Sequence, residues 1–518
     1  MKVALGLASV LAVVSAASAT QLPEECRPPA SLHGAVHNNP SAKVLGEAGA
    51  WFEAQGNANC ALAAFAAAVQ LDPRSAQAHF HLGEAYAHAQ QLAAAASEFR
   101  LALKYKPSMI AAHNALGSVL VDLGKYEEAE SHYREALRLD AHSVPALVGL
   151  AMVRANQGDD IGAEKLLRQA IDLDAKEEKA HLNLALVLAK QQKLYEAQAE
   201  ADLALKLAPQ DPAVLAAAGR IKARLGNTND GVALLRKAVA LAPQSAKLHL
   251  DLAMVLAEGY EFADALTENT EAIRLDPGSA LAYLNRGRVL LDLGDKVKAK
   301  PDFEKASHLA PQMPEPYHFL AIIEKQAGNL DRAAALLKIV VKLQPRNAMA
   351  WNLLGQCLES ESQSQEAVAA WRKAIAIDPD NTQALWGLAK AIKSSNPEEA
   401  AQLMARYREV QNNHRIRDQA GVLANDALAA GSAHDWPEAI RKFQEAMEVC
   451  GDCFIKADLH KKLGLTLCQM GDLQKGEKEL RLAQSLKPSD PDIENALERL
   501  ATARAKQGAG QPAQDKTN

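Results

Sequence analysis

Aromatic residues supply only 4% of this 518-residue chain, and runs rich in Val, Ile and Thr are scarce. That composition argues against a sheet-based fold. Cysteine is equally sparse at 6 residues, far too few for a scaffold held by disulfides. Beyond residue 19 no apolar run is long enough to cross a bilayer. There is no Walker A loop, no H-E-x-x-H, no G-x-S-x-G and no calcium loop, and the 15 histidines are scattered. No catalytic residue, metal ligand set or cofactor is therefore assigned, and an enzyme is not expected. A net charge of −6 lacks the basic stripe that a nucleic-acid partner requires.

What the chain has instead is alanine, leucine and a strict count. Alanine and leucine are strong helix formers, and alanine lets helices approach closely. Pro73, Pro107, Pro209, Pro243, Pro277, Pro311, Pro345 and Pro379 fall at one phase of a 34-residue period, with Ala141 and Ala175 in the two remaining slots. A chain that repeats one unit without insertion is a stacked array. With the first unit starting at Ala42, position 8 is always small (Gly49, Gly83, Gly117, Ala151 and onward), as is position 20 (Ala61, Ala95, Ala129). Position 27 is mostly alanine, and position 24 is often large: Phe65, Phe99, Tyr133, Leu167, Phe303, Trp371. These columns describe a helix pair. The small residues let its two helices touch, the large one fills the space toward the neighbouring pair, and proline at position 32 helps to stop the second helix.

Trp351, Leu354, Gly355, Ala367, Trp371, Ala374 and Pro379 follow the pattern W-x2-L-G-x2-Y, A-x3-F, A, P, as do Leu82, Gly83, Tyr86, Ala95, Phe99, Ala102 and Pro107. The unit thus resembles the tetratricopeptide repeat over residues 42–415, about eleven units. The resemblance implies an all-α, right-handed superhelical solenoid of antiparallel helix pairs with a concave groove lined by the first helices. Register slips near Pro397 and at 413–419, and the pattern resumes in two further repeats that bring the segment 416–488 and the total to about thirteen. Residues 489–505 carry an apolar stripe at helical spacing and read as a capping helix, and 506–518 as a disordered tail. Pro301 falls inside a second helix and is expected to kink it or delay its start. At the other end, 20–41 reads as an irregular leader. Residues 1–19 read as a signal peptide, with Lys2, an apolar stretch from Val3 to Val14 and Ala17-Ser18-Ala19. Export to a periplasm or the exterior is the expectation, with cleavage or retention as an anchor left open.

By the resemblance, positions 2, 5, 9, 12 and 13 of each unit face the groove. They place Lys179, Lys190, Arg220, Arg224, Lys247 and Arg288 in the middle units, beside Glu258 and Asp292. Such a patch would suit an acidic peptide, or be no more than a solvated helix face. His88, Asn114 and Asp122 lie toward one end, and Asn352, Gln356, Glu359 and Trp386 toward the other, with Trp386 either an interface anchor or a packed residue. The constellation of the family's carboxylate clamp is not found. Cys450-Gly451-Asp452-Cys453 permits a local disulfide, a redox pair, or a zinc half-site with His460 and Cys468. Cys26 and Cys60 form a second candidate pair pinning the leader, and Cys357 reads as a buried small residue. The expected role is a scaffold that binds a protein or peptide along its groove, in assembly of an envelope or secretion complex. A redox accessory protein using the C-x-x-C and a polysaccharide-binding scaffold are the alternatives. Self-association is not legible.

Overall fold

The computed structural model describes residues 22–38, 40–360 and 363–508. These residues form 27 helices, with no strand among them. The fold is an all-α repeat solenoid in which each repeat pairs a first helix of about thirteen residues with a second of fourteen, as in Ala76–His88 and Leu92–Tyr105. The signal-like segment lies outside the described residues, as does the tail beyond Gly508. Residues 506–508, expected in that tail, continue a helix. Two compact units part between Glu261 and Phe262.

The first unit opens with a helix, Ala30–Asn38, inside the segment expected to be irregular. Leu22, Cys26 and Val36 are buried with Leu45, Phe52 and Phe65 of the first repeat, and a Cys26–Cys60 disulfide ties the segment down. The leader is thus a cap on the apolar end of the stack, which a terminal repeat needs because it has no neighbour to cover it. First helices begin at polar caps: the Ser75 hydroxyl accepts from the Ala78 N–H at 3.2 Å, and the Asp211 carboxylate from the Ala213 N–H at 2.7 Å.

Packing within a repeat rests on two columns that act together. A Cβ added to Gly83 would lie 2.6 Å from the Phe99 ring, and one at Gly117 would lie 2.7 Å from that of Tyr133. The same holds for Gly49 with Phe65, Gly287 with Phe303 and Gly355 with Trp371. In the first eleven repeats, where position 8 is alanine, position 24 is smaller, as in Ala151 with Leu167 and Ala321 with Leu337; the twelfth departs from this, with Phe443 opposite Ala427. One methyl group is exchanged for one ring. The ring then reaches position 6 of the next repeat: Phe65 stacks on His81 with centroids 5.5 Å apart, and Phe303 on Phe319 at 5.0 Å. Tyr133 and Trp371, the bulkiest, meet Gly149 and Gly387 there. A second stitch between repeats comes from position 4. His79, His113, His181 and His249 place Nε2 at 3.0–3.2 Å from the carbonyl oxygens of Pro73, Pro107, Ala175 and Pro243, the position-32 residues of the preceding repeat.

The second unit holds Phe262–Leu275 and the repeats that follow. Its helix Lys296–Leu309 runs through Pro301, so the start is not delayed. Pro301 is exposed, which leaves the Val297 carbonyl that it deprives of a donor open to water. The register slip is a single helix, Pro397–Ser432. Asn413 stands where the column proline would fall, so nothing halts the chain between repeats. Ala420 takes the first-position role that strict spacing gives to Ile416. That shift of four residues is close to one helical turn, about 3.6 residues, so Ala420, Ala424 and Ala427 still face the core. The boundary expected at 415/416 therefore falls inside a helix. The connection between Trp436–Cys450 and Lys456–Met470 is longer than the others, and a Cys450–Cys453 disulfide closes it. Pro491–Gly508 covers the end of the stack with Ile493 and Leu500 buried.

The exchange of methyl for ring predicts that Gly83→Ala lowers stability by about 1–3 kcal/mol, because the ring has nowhere to move. Adding Phe99→Leu recreates the Ala151/Leu167 pairing and should recover part of the loss. Denaturant midpoints of the single and double variants check this, and a double variant less stable than the single would contradict it.

Candidate functional site

The central cations are held by the array itself. Lys190 donates to the Ala155 carbonyl at 3.0 Å and pairs with Asp160 at 2.7 Å. Arg224, at the same position one repeat on, donates to the Ala189 carbonyl at 3.0 Å and to Gln192 Oε1 at 2.9 Å. Both acceptor carbonyls lie at the C-terminal end of the preceding repeat's first helix, where a cation is favoured. Arg220 binds the Asp251 carboxylate. Burial pushes that carboxyl above its usual range, while Arg220 and Lys247 oppose the shift. Lys179 and Lys247 are exposed, and Arg288 is exposed in the second unit. Near the N-terminal end, His88 Nδ1 contacts Glu53 at 2.7 Å, and Asn114 Nδ2 donates to the Ser143 hydroxyl at 3.3 Å.

The C-terminal group is different, because there the structure gathers residues around a cavity. Asn352, Gln356 and Glu359 follow one another at helical spacing on Ala348–Ser360 and share one face. Asn352 is 2% exposed, and its Nδ2 donates to Gln383 Oε1 at 2.8 Å. Gln356 Nε2 donates to the same oxygen at 3.3 Å, while Gln356 Oε1 accepts from the Lys325 ammonium. Three successive repeats are thereby linked by a ladder of side-chain amides with a cation at its head. Behind it lies a cavity of about 550 Å³ lined by Gln356, Glu359, Trp371, Gln383, Trp386, Lys390, Tyr407 and Gln411, among others.

The indoles give this cavity its character. Trp371 is 3% exposed, wedged where a Cβ on Gly355 would be 2.7 Å from its Nε1 and one on Gly387 would be 2.6 Å from its Cε2. Those two glycines make the room that the indole occupies, and Gly387 lines the cavity with it. Trp386 is 48% exposed, with the Lys390 ammonium 5.2 Å from its ring centroid. Three buried polar atoms here have no hydrogen-bond partner among the described residues: Asn352 Oδ1, Glu359 Oε2 and Trp371 Nε1. Folded proteins rarely leave such groups unmatched, since each costs about 1–3 kcal/mol. Donors and acceptors beside aromatic faces make an arrangement for recognition.

Sequence reading singled out Asn352, Gln356, Glu359 and Trp386, and the structure places them together. It did not single out Gln383 and Lys390, although both stand at groove-facing positions of the eleventh repeat. It treated Trp371 as packing only. Tyr407 and Gln411 come from Pro397–Ser432, whose continuous course the 34-residue count hides. Elsewhere, Cys450 and Cys453 are disulfide-bonded and line a second cavity of about 620 Å³ with Phe454, while Cys357 is buried.

Stacked helix pairs carrying a polar and aromatic recognition face define a helical-repeat interaction scaffold. The family model for the tetratricopeptide repeat matches residues 52–110, 114–177, 216–280, 261–314, 320–382 and 361–414. The chain belongs to the tetratricopeptide repeat family. It is 32% identical over 139 residues to Peroxisome biogenesis protein 5 of Arabidopsis thaliana, a match covering 27% of this chain and 18% of that protein. It is 34% identical over 98 residues to Small glutamine-rich tetratricopeptide repeat-containing protein 2 of Mycosarcoma maydis, covering 19% of this chain and 27% of the relative. The matched stretches thus span under a third of either relative. Among solved structures, the human IFIT1 dimer with PPP-AAAA aligns over 77% of this chain and 96% of its own, with 16% identity and a TM-score of 0.47.

If Arg224 serves as a bridge between repeats, Arg224→Met should cost about 1 kcal/mol locally, an exposed pair being worth little more. Hydrogen exchange at the C-terminal end of Glu178–Lys190 should then accelerate in the variant. Unchanged exchange there would return Arg224 to the pool of cations available to a ligand.

Proposed function

We propose that this protein is a scaffold that binds an extended peptide segment of a partner protein across the first helices of its ninth to eleventh repeats. The observation that carries this reading is a set of buried polar atoms without a partner among the described residues: Glu359 Oε2 and Trp371 Nε1 on residues that line the cavity, and Asn352 Oδ1 on the helix face beside it. A peptide backbone presents a donor and an acceptor at each residue, which is what such a mixed set needs. The amide of Gln383 holds two of the neighbouring side chains in place before any ligand arrives. Preformed polar groups lower the ordering cost of binding, and the half-exposed Trp386 supplies the kind of anchor on which interface energy concentrates.

The partner is a protein rather than a nucleic acid, in keeping with the net charge of −6. Its setting is proposed to be outside the cytoplasm, in assembly or organisation of an envelope or secretion complex. The signal-like N-terminus and the two disulfides support that reading. No helix among the described residues is long and apolar enough to cross a membrane.

The test is selection of a random dodecapeptide library on immobilised, full-length protein. Enriched peptides should bind in solution, and Asn352→Ala or Trp386→Ala should weaken them about tenfold or more. Failure to enrich any peptide, or binding indifferent to both substitutions, would contradict the assignment.

A further inference from the structure

Resting on the peptide reading above, we infer that the cavity of the tenth and eleventh repeats selects a basic side chain of the bound peptide, with Glu359 as its counter-charge. Glu359 is half-buried, and its Oε2, the oxygen turned away from solvent, has no hydrogen-bond partner among the described residues. A carboxylate oxygen taken out of water without a partner is expensive, and a neutral donor would satisfy its hydrogen bond but not its charge. A cationic donor does both.

The cations already present do not fill this role. Lys325 is engaged with Gln356, and Lys390 sits over the Trp386 ring at 5.2 Å. Lys390 is exposed, so its field is screened by solvent more than that of the buried Glu359 oxygen. Its position also shows that the Trp386 ring accepts a cation. The buried indole of Trp371, its Nε1 unmatched, forms part of the same wall.

Of the two basic side chains, arginine fits better. A guanidinium is planar, weakly hydrated and stacks on indole faces while donating to a carboxylate, whereas an ammonium holds its water. Asn352 stands two turns away from Glu359 on the same face, roughly 10 Å along the helix. One side chain does not bridge both. Glu359 therefore reads the side chain, while Asn352 is left to the backbone. The selectivity is opposite in sign to that of a site built for acidic peptides, which the central arginines and lysines first suggested.

The experiment uses the full-length protein and library-selected peptides, N-acetylated and C-amidated so that no terminal charge takes part. Affinities are compared for the peptide carrying arginine and its neutral isostere citrulline at each basic position, with wild-type protein and with Glu359→Gln. Expected are a recurring arginine or lysine at one position, a tenfold or greater loss on change to citrulline, and a penalty below threefold in Glu359→Gln. The wild-type comparison stands by itself should the variant fold poorly, which its thermal unfolding would show. Peptides that bind with no basic requirement, or a citrulline penalty undiminished in a folded Glu359→Gln, would overturn this inference and leave the peptide reading standing. A library that yields no binder would remove both.

Discussion

The two helices of a repeat must come close enough for a small residue on one to receive a large side chain from the other, and most of this structure follows from that contact. Gly83 accepts Phe99, Gly117 accepts Tyr133 and Gly355 accepts Trp371, while Ala151 and Ala321 at the same position face the smaller Leu167 and Leu337. Burying such a ring contributes roughly 1.5–3 kcal/mol per repeat, and the ring also meets the next repeat. Stability is thus distributed along the array through nearest neighbours rather than gathered in one core. The regular spacing of the columns along the chain follows from this packing.

The same contact accounts for the candidate site. Tryptophan is the largest occupant of its column, and it is accommodated by two glycines, Gly355 and Gly387. Those glycines make room for the indole, which with Gly387 lines a cavity that also carries Glu359, Gln383 and Trp386. Fit between repeats and the proposed recognition of a ligand therefore share one residue. The central cations show the converse. Lys190 and Arg224 look like a binding patch on a helical wheel, yet both reach back to carbonyls of the preceding repeat.

Much of this is legible in residues alone, and what escapes has physical reasons. Pro73 through Pro379 and the columns of small residues define the repeat, and position numbering alone brings Asn352, Gln356, Glu359 and Trp386 to one end. The exchange of methyl for ring was also there to be read, since Phe65, Phe99, Tyr133, Phe303 and Trp371 each stand with a glycine at position 8, but only when two columns are compared rather than each in turn. Other features depend on partners that a count cannot see. Whether Arg220 is available depends on Asp251 in the next repeat. The leader looks irregular because its helix is short and glycine-containing, and its order comes from Leu22, Val36 and a disulfide to Cys60. The helix Pro397–Ser432 erases a boundary because Asn413 replaces a proline and the added residues make about one turn.

Hydrogen exchange of the full-length protein, saturated with a selected peptide, tests most directly whether recognition lies at the cavity that the Trp371 indole lines. Slower exchange confined to 348–360 and 382–392, the first helices of the tenth and eleventh repeats, is the predicted result. Protection concentrated on 178–190 and 212–224, with the later helices unchanged, would contradict it and place the ligand on the central cations.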